Sequence, residues 1–268
     1  MIVVKAGGSK GIDPQAVCAD VVELVKKGEQ VVLVHGSSHD TNVISEKLSH
    51  PPRFVTSLSG HVSRYTDRET LEILAMVTAG RINTLLVERL QGMGVNAIGL
   101  TGLDGRLLEG KRKEALQFVD NGKRKVLHGE YSGQIQKVNT DLLRTLLSAG
   151  YLPVVAPLAI SARGEALNVD GDRAAAAIGS ALGAEVMVIL SNVPGLLRDP
   201  SDESSLVSRI ERAHVQGYME RYARGSMKRK LLGAVEALDD GVGSVILADG
   251  RVARPLQQAL AGHGTIIA

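Results

Sequence analysis

Short apolar runs rich in Val and Ile recur along this chain, each separated from the next by a longer segment of helical period. Residues 2–5, 31–34, 97–100, 152–156, 186–190, 244–248 and 265–267 read as strands. Their apolar character is continuous rather than alternating, so both faces of each strand must be covered. Between them, residues 13–28 place Val17, Val21, Leu24 and Val25 at helical spacing and stop at Gly28. Further helices are expected near 42–48, 71–78, 82–90, 142–149, 173–182, 227–238 and 256–260. Strand and helix in strict alternation predict an α/β fold, a three-layer αβα sandwich with a mostly parallel central sheet. Thr66 followed by Glu69 fits a capping box ahead of the helix carrying Leu71, Leu74, Ala75 and Thr78. Residues 106–139 break the alternation, and Asn121-Gly122 is a hairpin signal.

No low-complexity linker interrupts the 268 residues. The expected organisation is a single domain, with one lobe over about 1–160 and a second over about 161–268. Aromatics make up 3% of the chain and Trp is absent, which disfavours base-stacking platforms for nucleic acid. A formal charge of +2 provides no whole-molecule field for DNA or a membrane surface. Cys18 is the only cysteine, so neither an intrachain disulfide nor a cysteine-based zinc site is expected. No signal-peptide pattern opens the chain and no apolar run approaches a membrane span, so a cytoplasmic location is expected.

Open parallel sheets bind ligands beyond the carboxyl ends of their strands. Two early strands end there in small residues, Lys5-Ala6-Gly7-Gly8 and His35-Gly36-Ser37-Ser38. Glycines let backbone N–H groups approach an anion, and a following helix N-terminus adds favourable partial charge. Either turn alone could be an ordinary βα connection with a solvated lysine; two within forty residues favour anion binding. The P-loop, the dinucleotide fingerprint and the zinc-protease motif are all missing from the sequence.

These two turns, Asn168-Val169-Asp170-Gly171-Asp172 before an Ala-rich helix, Ser191-Asn192-Val193-Pro194-Gly195-Leu196 after a strand, and Gly225-Ser226-Met227 with Lys230 resemble the amino-acid kinase family. The motifs occur in that family's order and span essentially the whole chain. Within it, the chain is similar to the N-acetylglutamate kinase group. Residues 55–60, with Ser63-Arg64-Tyr65-Thr66-Asp67, resemble its carrier-dependent aminoadipate kinases of lysine biosynthesis, the LysZ type.

The resemblance implies ATP-dependent phosphorylation of a carboxylate, with ATP and Mg2+ as the nucleotide pair and no metal site of the protein's own. It implies that Lys5 and Lys230 stabilise the transferring phosphoryl group and that Asp172 positions both. Gly7 and Gly8 would hold phosphate, Gly36 and Ser37 the reacting carboxylate, and Arg64 and Asn168 the far end of the substrate. Ser191, Asn192, Gly195, Leu196, Gly225, Met227 and Lys228 would border the nucleotide. A small acidic carrier protein bearing aminoadipate and a homodimer partner are implied as well; nucleic acid and membrane are not.

The chemistry agrees with those roles. A carboxylate with a pKa of about 4 is already ionised at neutral pH, so no general base is needed. The task is to bring one anion up to another, which cationic side chains and aimed N–H groups accomplish electrostatically.

Ser37 departs from the glycine usual at its position, and with a positive φ it would be strained. That departure is the one motive for an alternative reading, a catalytically silent nucleotide-binding regulator. A third reading is an N-acetylglutamate kinase, which differs only by the blocking group and about one methylene of substrate. Simpler roles also compete residue by residue. Arg64 could be a surface partner of Asp67, Asp172 a helix N-cap, and Lys230 part of a solvated basic run. Finally, Lys111, Arg112, Lys113, Lys123, Arg124 and Lys125 outnumber Glu114 and Asp120 over 111–125. On a hairpin, that excess is either a solvated face or a docking surface for an acidic carrier.

Overall fold

The computed structural model describes residues 1–57, 62–120 and 123–268. In chain order the elements begin β1 (Ile2–Ala6), α1 (Pro14–Lys26), β2 (Val31–His35), α2 (Ser38–Lys47), β3 (Phe54–Ser57), β4 (Val62–Arg64) and α3 (Arg68–Ala75). A π-helical segment (Met76–Asn83) leads into α4 (Thr84–Gly92), followed by β5 (Ala97–Thr101), β6 (Leu108–Arg112), β7 (Ala115–Asp120), β8 (Lys123–His128), β9 (Gly133–Val138) and α5 (Thr140–Ser148). Then come β10 (Leu152–Ala156), β11 (Leu158–Ile160), β12 (Ala166–Asn168), α6 (Gly171–Leu182), β13 (Val186–Ser191), β14 (Arg209–Ile210), α7 (Val215–Tyr222), α8 (Gly225–Asp239), β15 (Ser244–Asp249), α9 (Pro255–Leu260) and β16 (Thr265–Ile267).

Eight strands form the central sheet in the order β14-β16-β15-β13-β1-β2-β10-β5. Every neighbouring pair is parallel except β15 with β16. Every residue of β1, β2 and β10 is buried, as their unbroken apolar sequences require. Side chains of alternate parity feed two cores. Val3, Val32 and Val34 pack on one face with Ala174 and Ile178 of α6 and with Leu231 and Ala234 of α8. Ile2, Val4 and Leu33 pack on the other with Val17 and Val21 of α1, Leu90 of α4 and Leu256 of α9. That is the three-layer αβα sandwich. The expected halves share one sheet, because β1 from the first pairs directly with β13 from the second. The strand order reverses direction at this β13–β1 junction, where open α/β sheets place their ligands.

Several boundaries differ from the sequence reading. The helices expected near 71–78 and 82–90 are one continuous helix, Arg68–Gly92, joined through the π-helical turns. It is long enough to cross a membrane and passes on average composition, but Glu72, Arg81, Glu88 and Arg89 interrupt it, so it is no continuous apolar run. Here its Leu71, Val77, Leu86 and Leu90 are buried in the protein. The N-cap of α3 is Asp67 rather than Thr66: the Asp67 carboxylate accepts from the Thr70 N–H at 2.8 Å. Thr66 is buried and serves another purpose, described below.

The region from 106 to 139 contributes β6 and β9 to one small four-stranded sheet, β12-β11-β6-β9, and β7 and β8 to another, β4-β3-β7-β8. β7 and β8 pair as a hairpin. The Asn121-Gly122 turn lies outside the described residues, as do residues 58–60 of the resemblance. The basic segment is therefore not one surface. Lys111 and Arg112 lie on β6, which pairs with β9. The Arg112 guanidinium is tied to Glu165 at 2.7 Å and stacks on Tyr131 at 3.7 Å.

Candidate active site

The C-terminal end of β1 delivers Lys5 to the junction where the strand order reverses. It lies across Gly171, where an added Cβ would stand 3.4 Å from Lys5 Cε. The next residue, Asp172, occupies the first turn of α6. Its Oδ1 pairs with Lys5 Nζ at 2.8 Å and its Oδ2 with Lys230 Nζ, from α8, at 2.9 Å. One carboxylate thus bridges two lysines drawn from opposite halves of the chain. Asp172 is not the N-cap. That role falls to Asp170, whose Oδ1 accepts from the Asp172 and Arg173 N–H groups. Nor is Lys230 part of a solvated run, since its side chain is almost as buried as that of Lys5.

Burial opposes ionisation of Asp172, but Lys5 and then Lys230 overcome it and hold the carboxyl far below its ordinary range. Burial lowers the Lys230 pKa; repulsion from Lys5 adds to this, and Asp172 opposes it. Two ammonium groups share the Asp172 carboxylate, with Asp170 acting on Lys230 more weakly, so the immediate pairing leaves a positive surplus in a poorly hydrated place. Such a surplus suits a polyanion.

Beside the lysines, the two turns press together. A Cβ on Gly8 would stand 2.3 Å from the Ser37 nitrogen, and one on Gly36 2.6 Å from the Gly8 nitrogen. Only glycine permits this approach. The Gly7 N–H is spent on the Leu190 carbonyl at 3.0 Å and the Gly36 N–H on Ala6 at 2.9 Å. Those bonds hold the turns to the sheet. The Gly8 and Ser37 N–H groups have no protein acceptor among the described residues, and α2 begins immediately after Ser37. Two adjacent donors at a helix N-terminus form an anion cradle. Ser37 itself is at φ −144°, so it carries no left-handed strain, and the motive for a silent regulator disappears.

Arg64 ends β4 and does not pair with Asp67, whose carboxylate lies near His50 instead. Its Nη2 donates to Asn42 Oδ1 and reaches the Ser38 carbonyl at 3.5 Å. The guanidinium lies over the Phe54 ring at 5.1 Å. Its Nη1 is buried without a partner among the described residues. A buried cationic donor without a protein partner is a place where an anion or an ordered water can bind. Asn168 ends β12, and its Nδ2 donates to Thr66 Oγ1 at 2.9 Å.

The nucleotide-side residues divide. Asn192 is exposed past β13, while Ser191 is buried with its hydroxyl on the Val193 carbonyl. Gly195 packs on Thr265, and Leu196 is a core side chain whose N–H is taken by Thr265 Oγ1 at 2.8 Å. Any approach of these buried residues to a nucleotide would be through backbone rather than through an exposed side chain. Gly225, Met227 and Lys228 form the first turn of α8, whose N-cap Arg224 provides no side-chain acceptor. The Met227 N–H is taken by the Arg224 carbonyl at 3.0 Å, while those of Gly225 and Ser226 have no acceptor among the described residues and make a second anion-ready helix end.

Sequence reasoning missed the supporting residues. Glu130 is fully buried and accepts from the N–H groups of Thr66 and Ser132, fixing the loop beneath Asn168. Burial pushes its pKa up. A lone glutamate in a loop carries no sequence signal for this. Asn42, Thr78 and Asn83 were equally silent, since each looks like one more polar position on a helix. His35 is buried beside Lys5 with its pKa lowered to about 4, chiefly by burial, so it is neutral at pH 7.

The amino acid kinase family profile matches residues 1–249. The chain belongs to that family. A [LysW]-aminoadipate kinase of Deinococcus radiodurans is 56% identical over 100% of this chain and 91% of its own. One from Thermus thermophilus is 53% identical over the full length of both. Among solved structures, N-acetylglutamate synthase of Neisseria gonorrhoeae, complexed with coenzyme A and N-acetyl-glutamate, superposes with a TM-score of 0.81 at 28% identity. It covers all of this chain, which spans 59% of the synthase's length. As an amino acid kinase the protein is an ATP-dependent phosphotransferase, and the buried lysine–aspartate–lysine bridge lies at the β13–β1 junction of the shared fold.

Proposed function

We infer that this amino acid kinase transfers the γ-phosphoryl group of ATP to the side-chain carboxylate of α-aminoadipate, held by its amino group on a LysW-type carrier protein. The observation that carries the reaction type is the Lys5–Asp172–Lys230 bridge beside the paired Gly8 and Ser37 donors. The substrate follows from the names and identities of the relatives, with which residues 63–67 agree.

In this reading the acceptor carboxylate arrives ionised, and no residue has to take a proton. Asp172 holds both ammonium groups at fixed positions so that their charge is in place before the transfer. Charge migrating onto the bridging and equatorial oxygens then meets Lys5, Lys230 and the Gly8 and Ser37 N–H groups without reorganisation. Arg64 would pair with the anionic far end of the substrate through its unfilled Nη1, and Asn168 would align the same end. The N–H groups opening α8 would receive phosphate oxygens of the nucleotide.

Both Asp172 oxygens are engaged by lysines. Among the described residues no group of three or more His, Cys, Asp or Glu side chains is placed to hold a metal. In this reading Mg2+ would be carried in on the triphosphate, keeping phosphate and water ligands. A homodimer and a cytoplasmic location belong to the same reading.

The deciding experiment is ATP-dependent hydroxamate formation with hydroxylamine, comparing carrier-linked aminoadipate with N-acetylglutamate. Product with the carrier substrate alone is the expected outcome. Product mainly with N-acetylglutamate would keep the mechanism and overturn the substrate. Nucleotide binding with no hydroxamate from either would overturn both.

A further inference from the structure

The long helix Arg68–Gly92 leaves α geometry between Met76 and Asn83, where it winds as a π-helix. In an α-helix of 3.6 residues per turn, residues five apart diverge by about 140°. The wider i→i+5 turn swings them toward one side, and such turns occur disproportionately at functional sites. Thr78 and Asn83 are five apart, and both reach the end of β2. Thr78 Oγ1 is hydrogen-bonded to Ser37 Oγ, which also accepts from Thr41 Oγ1 at 3.2 Å. Asn83 Nδ2 donates to the Val154 carbonyl at 2.8 Å and contacts His35 Nε2 at 3.0 Å. All five side chains (His35, Ser37, Thr41, Thr78 and Asn83) are buried. Room for Asn83 exists only because β5 has Gly99 beneath it, where a Cβ would stand 2.1 Å from Asn83 Oδ1.

The π-helical turns thus grip the 35–37 turn at both ends. This turn carries one of the two free N–H donors of the cradle, and its hydroxyl replaces the hydrogen of a glycine. We propose that Thr78 is a positioning residue for phosphoryl transfer, which by holding the Ser37 hydroxyl sets the direction of the Ser37 N–H against Gly8. The inference rests on the reading of Gly8 and Ser37 as the anion cradle. A donor displaced by a fraction of an ångström stabilises the transition state less while leaving nucleotide affinity, which depends on other groups, as it was.

The test uses the full-length enzyme and whichever acceptor the wild type converts. Thr78→Val keeps the shape and removes the hydroxyl; kcat is expected to fall about tenfold with KM for ATP unchanged, the loss of roughly one oriented hydrogen bond. Thr78→Ser, which restores the hydroxyl, should recover kcat to within about twofold. In a Ser37→Gly background there is no hydroxyl to hold, so adding Thr78→Val should cost nothing further. Should Thr78→Val fail to fold, Ser37→Ala cuts the same bond from the other end, along with the one from Thr41, and must show at least that kcat loss with KM for ATP unchanged. An unchanged kcat, equal losses in Thr78→Val and Thr78→Ser, or an undiminished loss in the Ser37→Gly background would each overturn the proposal. Gly8→Ala separates the two layers of the argument. If it retains turnover, the cradle reading fails; if it is inactive while Thr78→Val is fully active, only the positioning role fails.

Discussion

A single carboxylate, Asp172, determines the state of both lysines, and the consequences are separable. Replacing it with Asn removes the charge and keeps the shape, leaving two buried ammonium groups facing each other. Breaking a buried ion pair from one side costs about 3–5 kcal/mol. Asp172→Asn is therefore expected to lower the unfolding free energy by that order and abolish turnover, read by denaturant unfolding beside the hydroxamate assay. Lys230 permits a subtler measurement. Burial and repulsion from Lys5 depress its pKa, so its charge is lost as pH rises through a value below the ordinary lysine range. Activity needs that charge, so kcat must fall on the alkaline side as this group deprotonates. Arginine does not titrate there. Lys230→Arg should therefore be slower at neutral pH, because a planar fork replaces a point charge, yet its alkaline limb should move to higher pH. An unmoved limb in the pH–kcat profile would assign the titration to another group.

At the level of elements, what the chain disclosed in advance was whatever depends on local pattern. Continuous Val- and Ile-rich runs identified β1, β2, β10, β13 and β15, because a strand buried on both faces has few polar positions, and those lie at or near its ends. Gly7-Gly8 and Gly36 marked the turns that touch. What stayed hidden depends on pairing across distance. The π-helical turns join two amphipathic stretches that looked like separate helices, since their apolar positions fall out of step at Met76–Asn83. Thr66 looked like a cap because its neighbour's better-placed carboxylate is visible only in three dimensions. The Lys5–Asp172–Lys230 bridge spans 225 positions and was reachable only by resemblance. The turn pair makes its own prediction. A Cβ at Gly8 would meet the backbone of Gly36, Ser37 and Ser38 at 2.3–2.7 Å, where no flexible side chain can give way. Gly8→Ala must push the turns apart by about an ångström, and a misplacement of that size costs on the order of a hundredfold in rate. The expected result is a folded protein with kcat reduced at least that far; steady-state kinetics with thermal unfolding as control would check it.

Over the whole molecule, the sheet β4-β3-β7-β8 reaches the site through Arg64, whose Nη2 lies 3.5 Å from the Ser38 carbonyl, and the register there narrows the carrier question. Phe54 pairs with Arg64, Thr56 with both Val62 and Val119, and Val119 with Arg124. Paired residues share a face and successive residues alternate. Phe54, Val62, Arg64, Arg124 and Val126 therefore belong to one face, while Lys125 belongs to the other. Phe54, Val62 and Val126 are about half exposed, at 49%, 53% and 51%. Exposed apolar side chains accompanied by Arg124, on the face that also carries Arg64, fit an acidic protein partner better than the basic run as a whole does. The segment's charges should consequently not be equivalent. Arg124→Glu is expected to raise KM for carrier-linked aminoadipate about tenfold, more steeply at low salt, where steering is strongest. Lys125→Glu should act less, and KM for ATP should stay unchanged in both. Reversing Lys123, Arg124 and Lys125 together should then add little beyond Arg124→Glu alone. Equal effects of the two single reversals would mean that the carrier reads summed charge rather than this face, and a parallel rise in KM for ATP would mean that the hairpin supports the lobe itself and docks nothing.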